Sequence, residues 1–177
     1  QAVAFSGAIG REGSLMVSDI EKLQKYMVTE TYTVAGKSVR YRGVDLHRLL
    51  NDQAVSATAL METVTVSGNN GVSRSISATE LANCVNGKRI ILAYGVGVAA
   101  EDIHSGLPLA PGSSSPGYDA ARGNSGGPLR LIIEGGSDID CVACVSAIHV
   151  EAAVVTGWNH TYGYYKDYLN TPALRIT

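Results

Sequence analysis

Apolar and polar residues alternate along much of this chain with a period of two. The stretches that break that period are short. Thr63-Val64-Thr65-Val66 alternates strictly, as a half-buried strand does. Gly68-Asn69-Asn70-Gly71 follows as a hairpin turn, because Asn and Gly tolerate positive φ, and Val72 to Ile76 is its returning partner. Ala4 to Gly7 predicts an opening strand. Glu30-Thr31-Tyr32-Thr33-Val34 predicts another, ending at Ala35-Gly36-Lys37 and pairing with Ser38 to Tyr41. Further along, Arg89 to Tyr94, Leu129 to Ile133 and Cys141 to Val150 read as strands.

Helical signals are fewer. Ser18 and Glu21 form an S-x-x-E capping box, in which each side chain satisfies an orphan backbone N–H. Ile20, Leu23 and Met27 follow at helical spacing and predict a short helix from about Asp19 to Tyr26. Beyond Gly43, the stripe of Val44, Leu46, Leu49 and Leu50 predicts a second. Ser77 and Glu80 repeat the capping box before Leu81, and Asn86-Gly87 ends that third helix. The stretch from Ala99 to Gly127 carries most of the Pro and a Ser run; loops of such length tend to be functional. Trp158-Asn159-His160-Thr161-Tyr162-Gly163-Tyr164-Tyr165 lies in a Tyr-rich extension over 151–177. No repeat or linker interrupts the chain. The expected class is a single α+β domain over residues 1–177, mainly β, with short helices.

Composition narrows the function classes. Lys+Arg 14 against Asp+Glu 16 leaves a formal charge of -2, which argues against a nucleic-acid binder that works by phosphate neutralisation. No run approaches the roughly 18 apolar residues of a membrane span. Three Cys make no closed disulfide framework. Charged residues are 17% of the chain, below the roughly 25% of an average domain, and nine Tyr outnumber one Phe and one Trp. That balance, with abundant Ser, Thr and Gly, fits an extracellular or cell-envelope protein. Gln at position 1 suggests a mature or trimmed chain.

Several short motifs carry chemistry elsewhere. Gly123-Asn124-Ser125-Gly126-Gly127-Pro128-Leu129 looks like the nucleophile loop of trypsin-like serine proteases, where backbone N–H groups converge on an oxyanion and the serine attacks. A His base must precede it, and only His47 and His104 do. His47 lies in a helix-like stripe and His104 lacks those families' surroundings; a glycine turn opening a strand is the plainer reading. Gly95 to Ala100 matches G-x-G-x-x-A, but no helix follows to hold a pyrophosphate. Cys141-Val142-Ala143-Cys144 sits in a strand-like run, where residues three apart face opposite ways, so the two thiols read as buried small hydrophobes. Cys84 is free to pair with one of them in an oxidising compartment. His47, His104, His149 and His160 show no metal-ligand spacing.

The order of larger segments says more. Ser14 to Leu23, then Tyr41-Arg42-Gly43-Val44-Asp45-Leu46 through Leu49-Leu50, then Ile91-Leu92-Ala93-Tyr94 and Leu107-Pro108-Leu109, then Gly126-Gly127-Pro128-Leu129-Arg130-Leu131-Ile132, and last Val145 to Val150, come in a characteristic succession. Over about residues 14–150 the chain resembles the molybdopterin-binding domain of the sulfite-oxidase type. The resemblance implies that family's fold, with mixed β-sheets, a barrel-like core and short helices. Catalytic members bind molybdenum through a Cys some ten residues before the aromatic-x-Gly-Val segment. Thr31 stands at about that place, and no Cys occurs before Cys84. A Thr hydroxyl is a poor substitute for a thiolate. The family's Pro-Gly and Lys-Trp are replaced by Ile133-Glu134-Gly135 and Ala143-Cys144.

The leading expectation is therefore a secreted or envelope binding or interaction module on this fold, without an intact molybdenum centre. No catalytic residue and no metal ligand is expected. Thr31, Arg74, His104, Tyr118, Arg122 and Arg130 are the candidates to line the former cofactor groove and meet a small anionic ligand there or a protein partner. The alternative is an oxidoreductase that holds molybdopterin with a non-Cys metal ligand. A trypsin-like serine protease using Ser125 stands third.

Overall fold

The structure, a computed structural model, describes residues 2–96, 129–137 and 140–154. The strands are β1 (Ala2–Gly7), β2 (Gly13–Met16), β3 (Met27–Val34), β4 (Lys37–Asp45), β5 (Met61–Gly68), β6 (Ser73–Ser77), β7 (Ile91–Val96), β8 (Arg130–Ile132) and β9 (Val145–Ala152). The helices are α1 (Val17–Glu21), α2 (Leu46–Leu50) and α3 (Ala78–Asn83), with a 3-10 turn at Gln24–Tyr26. Five strands form one sheet in the order β2-β1-β9-β5-β6, and four form a second in the order β3-β4-β7-β8. All neighbours are antiparallel except β1 and β9. The chain is thus mainly β with short helices, as its periodicity predicts.

Alternation decides what faces inward. Val64 and Val66 of β5, Ile148 and Val150 of β9, and Val3 and Phe5 of β1 are buried on one face of the five-stranded sheet. They join Val44, Leu92 and Leu131 of the other sheet, together with Leu46, Leu49 and Leu50 of α2, in the large core. The other face of the four-stranded sheet holds a second, smaller core of Tyr32, Val34, Tyr41, Ile91, Ala93, Ile132 and Cys141. Its two tyrosine rings meet edge to face at 6.2 Å.

That second core exists because the sheet curls. Beyond β8 the chain returns to the far edge strand: Gly135 N–H donates to the Thr33 carbonyl at 2.8 Å, and Ala35 N–H to the Gly136 carbonyl at 2.9 Å. The Glu134 carboxylate accepts from Thr33 N–H at 2.9 Å. Tyr94 supplies the extra residue of a β-bulge opposite Arg42 and Gly43. Bulges bend a strand and increase its twist. Gly43 permits the close approach here, since a Cβ on it would lie 2.3 Å from the Leu92 carbonyl oxygen.

Turn chemistry follows the sequence closely. Ala35 and Gly36 at the β3–β4 hairpin both have positive φ, as a type I′ turn requires. The Ser77–Glu80 capping box on α3 is fully formed. The Ser18–Glu21 box is not. β2 runs directly into α1, whose N-cap is Met16 with no side-chain hydrogen bond, and Glu21 is buried at the far end of the helix. The apolar demand of Val17 and Ile20 for the large core sets that start. The third helix ends at Asn83, not at Asn86-Gly87. Those two residues instead form the positive-φ tip of a tight turn between Val85 and Lys88.

The last strand starts at Val145, so Cys141 to Cys144 precede it. Cys144 has φ 56, and the opposite-faces argument for the two thiols does not apply. Both are nevertheless buried, and no disulfide joins Cys84, Cys141 or Cys144. No helix among the described residues is long and apolar enough to cross a membrane.

Gly43→Ala should lower stability by about 2–3 kcal/mol, because the new methyl meets backbone that cannot move away cheaply. Gly13→Ala, whose Cβ meets nothing within 4 Å, should stay within about 0.5 kcal/mol. Denaturant midpoints at unchanged slope measure both.

Candidate functional site

Three of the six groove candidates, Thr31, Arg74 and Arg130, lie among the described residues; His104, Tyr118 and Arg122 lie outside them, as do Ser125, the stretch from Ala99 to Gly127 and the Tyr-rich tail. Arg74 on β6 and Arg130 on β8 meet at one turn although they belong to different sheets. Arg74 Nε lies 3.7 Å from Asp140 Oδ1, and Arg130 Nε donates to the Cys141 carbonyl at 3.3 Å. Asp140 is shaped for that position. Its carboxylate accepts from the Ser137 hydroxyl at 2.7 Å and from Ser137 N–H at 3.1 Å. Those bonds, with Arg74 adding less, hold its carboxyl below the ordinary range.

Thr31 is elsewhere. Arg130 shares its cross-strand row with Ala93, Gly43 and Val28, and Thr31 lies three positions along β3 from Val28. Strand alternation therefore points Thr31 and Arg130 to opposite faces of the four-stranded sheet. Thr31 itself is exposed, and its carbonyl accepts from the Lys88 ammonium, which also lies 5.4 Å from the centre of the Tyr32 ring.

The face that Thr31 shares carries two arginines. Thr31 pairs with Arg40 and Thr29 with Arg42, so two hydroxyls and two guanidiniums form adjacent rows. Arg42 is fully buried and donates from Nε to Thr29 Oγ1 at 3.4 Å. The Arg40 Nε is buried and has no hydrogen-bond partner among the described residues. Glu21 and Tyr94 are buried near Arg42. Burial pushes the Tyr94 phenol up to about 12, with Arg42 opposing the rise and Glu21 adding to it. Reading Arg40-Tyr41-Arg42 with a period of two against Thr29 and Thr31 exposes this grouping. The sequence reading attended to the apolar residues of that stretch and passed over the arginines between them.

A second cationic group gathers around Asp45, the last residue of β4. Its Oδ1 accepts from Arg48 N–H at 3.2 Å, capping α2. Its Oδ2 lies 3.6 Å from Arg48 Nε and 3.5 Å from Arg89 Nε. The Asp45 side chain is 2% exposed, whereas those of Arg48 and Arg89 are 55% and 38% exposed. Above them opens a cleft of ≈ 680 Å³ lined by Tyr26, His47, Arg48, Asn51, Ala82 and Arg89. At its rim the Tyr26 hydroxyl donates to Asp52 Oδ2 at 2.7 Å, and Lys25 Nζ does so at 3.0 Å. His47 stands on α2 as its stripe predicts, and sequence spacing alone does not bring Arg89 to it.

His149 faces outward on β9 with Ile148 and Val150 turned inward, and its Nδ1 lies 2.9 Å from Ser6 Oγ. Among the described residues no three His, Cys, Asp or Glu side chains converge as a metal-holding group.

No protein-family profile matches the chain, and no curated protein does. Among solved structures it is similar to the sulfane dehydrogenase SoxCD from Paracoccus pantotrophus, at a TM-score of 0.60 and 14% sequence identity over 89% of this chain and 40% of that one. This chain thus spans two fifths of that structure. At such identity the likeness bears on the fold alone, and it supports a sulfite-oxidase-like fold in coarse outline.

The rim carries a pH signature. The Asp52 carboxyl, ordinarily near 3.8, is held down to about 2 by Ala54 N–H, then by the Tyr26 hydroxyl and the Lys25 ammonium. A depressed carboxylate stabilises the folded state at pH above its unfolded value and loses that contribution as pH falls through the folded one. Asp52→Asn should therefore be less stable than the parent at neutral pH. The gap should close between about pH 4 and pH 2, as followed by thermal unfolding across that range.

Proposed function

We propose that this chain is a secreted or cell-envelope binding domain with the sulfite-oxidase-type fold, which takes a small anionic ligand and has no thiolate-held molybdenum centre. The observation that carries the reading is Thr31. By sequence spacing it falls at about the place of the resembling family's metal-binding Cys, and it shares a face with Thr29, Arg40 and Arg42. Hydroxyls and guanidiniums suit an oxyanion, since they donate hydrogen bonds in fixed directions. They suit a soft thiolate-preferring metal poorly.

The chain's own thiols do not fit the role. Cys141 is sealed in the small core, with its Sγ 3.9 Å from the Ile133 carbonyl oxygen, and Cys144 is buried as well. Cys84 sits at the C-cap of α3. Of the proposed groove, Arg130 caps the small core and Arg74 is drawn to Asp140. These two favour a structural or separate ligand role over joint action with Thr31. Support for an extracellular or envelope location is compositional: few charged residues and many Tyr and Gly.

The second reading is a molybdopterin-dependent oxidoreductase with a non-Cys ligand. What favours it is the likeness in fold to a sulfane dehydrogenase. The two separate by metal and pterin analysis of protein made in a host that synthesises molybdopterin, with molybdate supplied. The binding-module reading expects neither at significant occupancy. Stoichiometric molybdenum and pterin would overturn it.

A further inference from the structure

The cleft beside α2 has the makings of a ligand site in residues that the proposed groove does not use. Its lining contains two guanidiniums, an imidazole and an amide, and no carboxylate among the described residues. Two carboxylates lie against the lining: Asp52, bonded to the Tyr26 hydroxyl at the rim, and Asp45, which is buried. One carboxylate oxygen there draws two arginines, at 3.6 and 3.5 Å. A single negative charge balances one guanidinium and leaves the other uncompensated. Lys25 and Asp52 at the rim form their own pair and add no net charge.

The direction of approach matters as much as the sum. Both arginines face Asp45 through Nε. A guanidinium carries five N–H donors, and the four on its Nη atoms lie at the other end of the fork. Arg89 Nη1 makes one long contact, 3.5 Å to the Ala82 carbonyl, and the Arg48 side chain meets no group besides Asp45 among the described residues. Asp45 thus draws both forks toward one point with most of their donors unspent. Donors fixed before a ligand arrives cost less to order when it binds.

We propose that this cleft binds a small-molecule phosphate monoester. Two adjacent guanidinium forks match the charge and the several acceptor oxygens of a dianionic tetrahedral group. His47, next to Arg48 on α2, also lines the cleft. The cleft is open to solvent, and Tyr26 and Ala82 lie beside the two forks, where they can meet the organic part of such an ester. The inference does not depend on the proposed function: it uses neither Thr31 nor Arg40, and it holds or fails whichever cofactor reading is right.

The test titrates the full chain with phenyl phosphate, inorganic phosphate and phenyl sulfate by calorimetry and by amide chemical shifts. One saturable site is expected for phenyl phosphate, with inorganic phosphate and the singly charged sulfate ester weaker. Arg48→Gln should weaken phenyl phosphate by about ten- to a hundredfold with only a small fall in unfolding temperature, because Arg89 and the Arg48 backbone N–H still face Asp45. Arg89→Lys, which keeps the charge and loses the fork, should also weaken it. Arg40→Gln, on the face of Thr31, should leave it unchanged. Absence of saturable binding overturns the proposal. So does binding that survives both Arg48→Gln and Arg89→Lys, or that is lost with Arg40→Gln alone.

Discussion

The junction of β4 and α2 hangs on the buried carboxylate of Asp45. An ionised carboxylate taken out of water is costly unless charges and hydrogen bonds surround it. Here its oxygens accept the Arg48 backbone N–H and draw the guanidiniums of Arg48 and Arg89. The strand therefore ends, the helix begins and two surface arginines are aimed by one group. The constraint reaches further inward. Arg89 gives its backbone carbonyl to the Tyr32 hydroxyl at 2.8 Å, so the chain that Asp45 anchors also completes the polar end of the small core. Burial raises the Tyr32 phenol above its ordinary value, which keeps it protonated as the donor that this bond needs.

The curl of the four-stranded sheet is the second organising fact. A flat sheet would have one core face and one wet face. Closing the chain after β8 onto β3 encloses both faces, and side-chain parity then decides which polar residues can act together. Arg130 falls on the side of the small core. Thr31, Arg40 and Arg42 fall on the other. Residues that a linear reading groups by charge are thus sorted by a period of two into separate environments. The bulge at Tyr94 and the bare backbone at Gly43 are what let the strands bend enough for this.

Much of the fold was legible in local chemistry. The Ser77–Glu80 box and the Ala35–Gly36 turn need only neighbouring residues, and both formed as read. The Ser18–Glu21 box failed because a long-range demand, the burial of Val17, Ile20 and Glu21, outweighed a local hydrogen-bond pattern. The cysteine pair was rightly read as buried for a reason that does not hold, since the strand assumed to carry both thiols begins after them. The candidate site was legible in kind and less so in membership. Thr31 could be found from segment order, but the partners around it come from strand register, and Arg89 reaches Asp45 across more than forty positions of sequence.

The role of Asp45 is tested most directly by a double-mutant cycle of Asp45→Asn and Arg89→Gln, read by denaturant unfolding. Asn keeps a side-chain oxygen for the α2 cap, so the cycle isolates the charge pair. A coupling of about 1 kcal/mol is predicted, tempered by the partial exposure of Arg89. Simple additivity of the two substitutions, within about 0.3 kcal/mol, would contradict the view that this carboxylate holds the arginine in place.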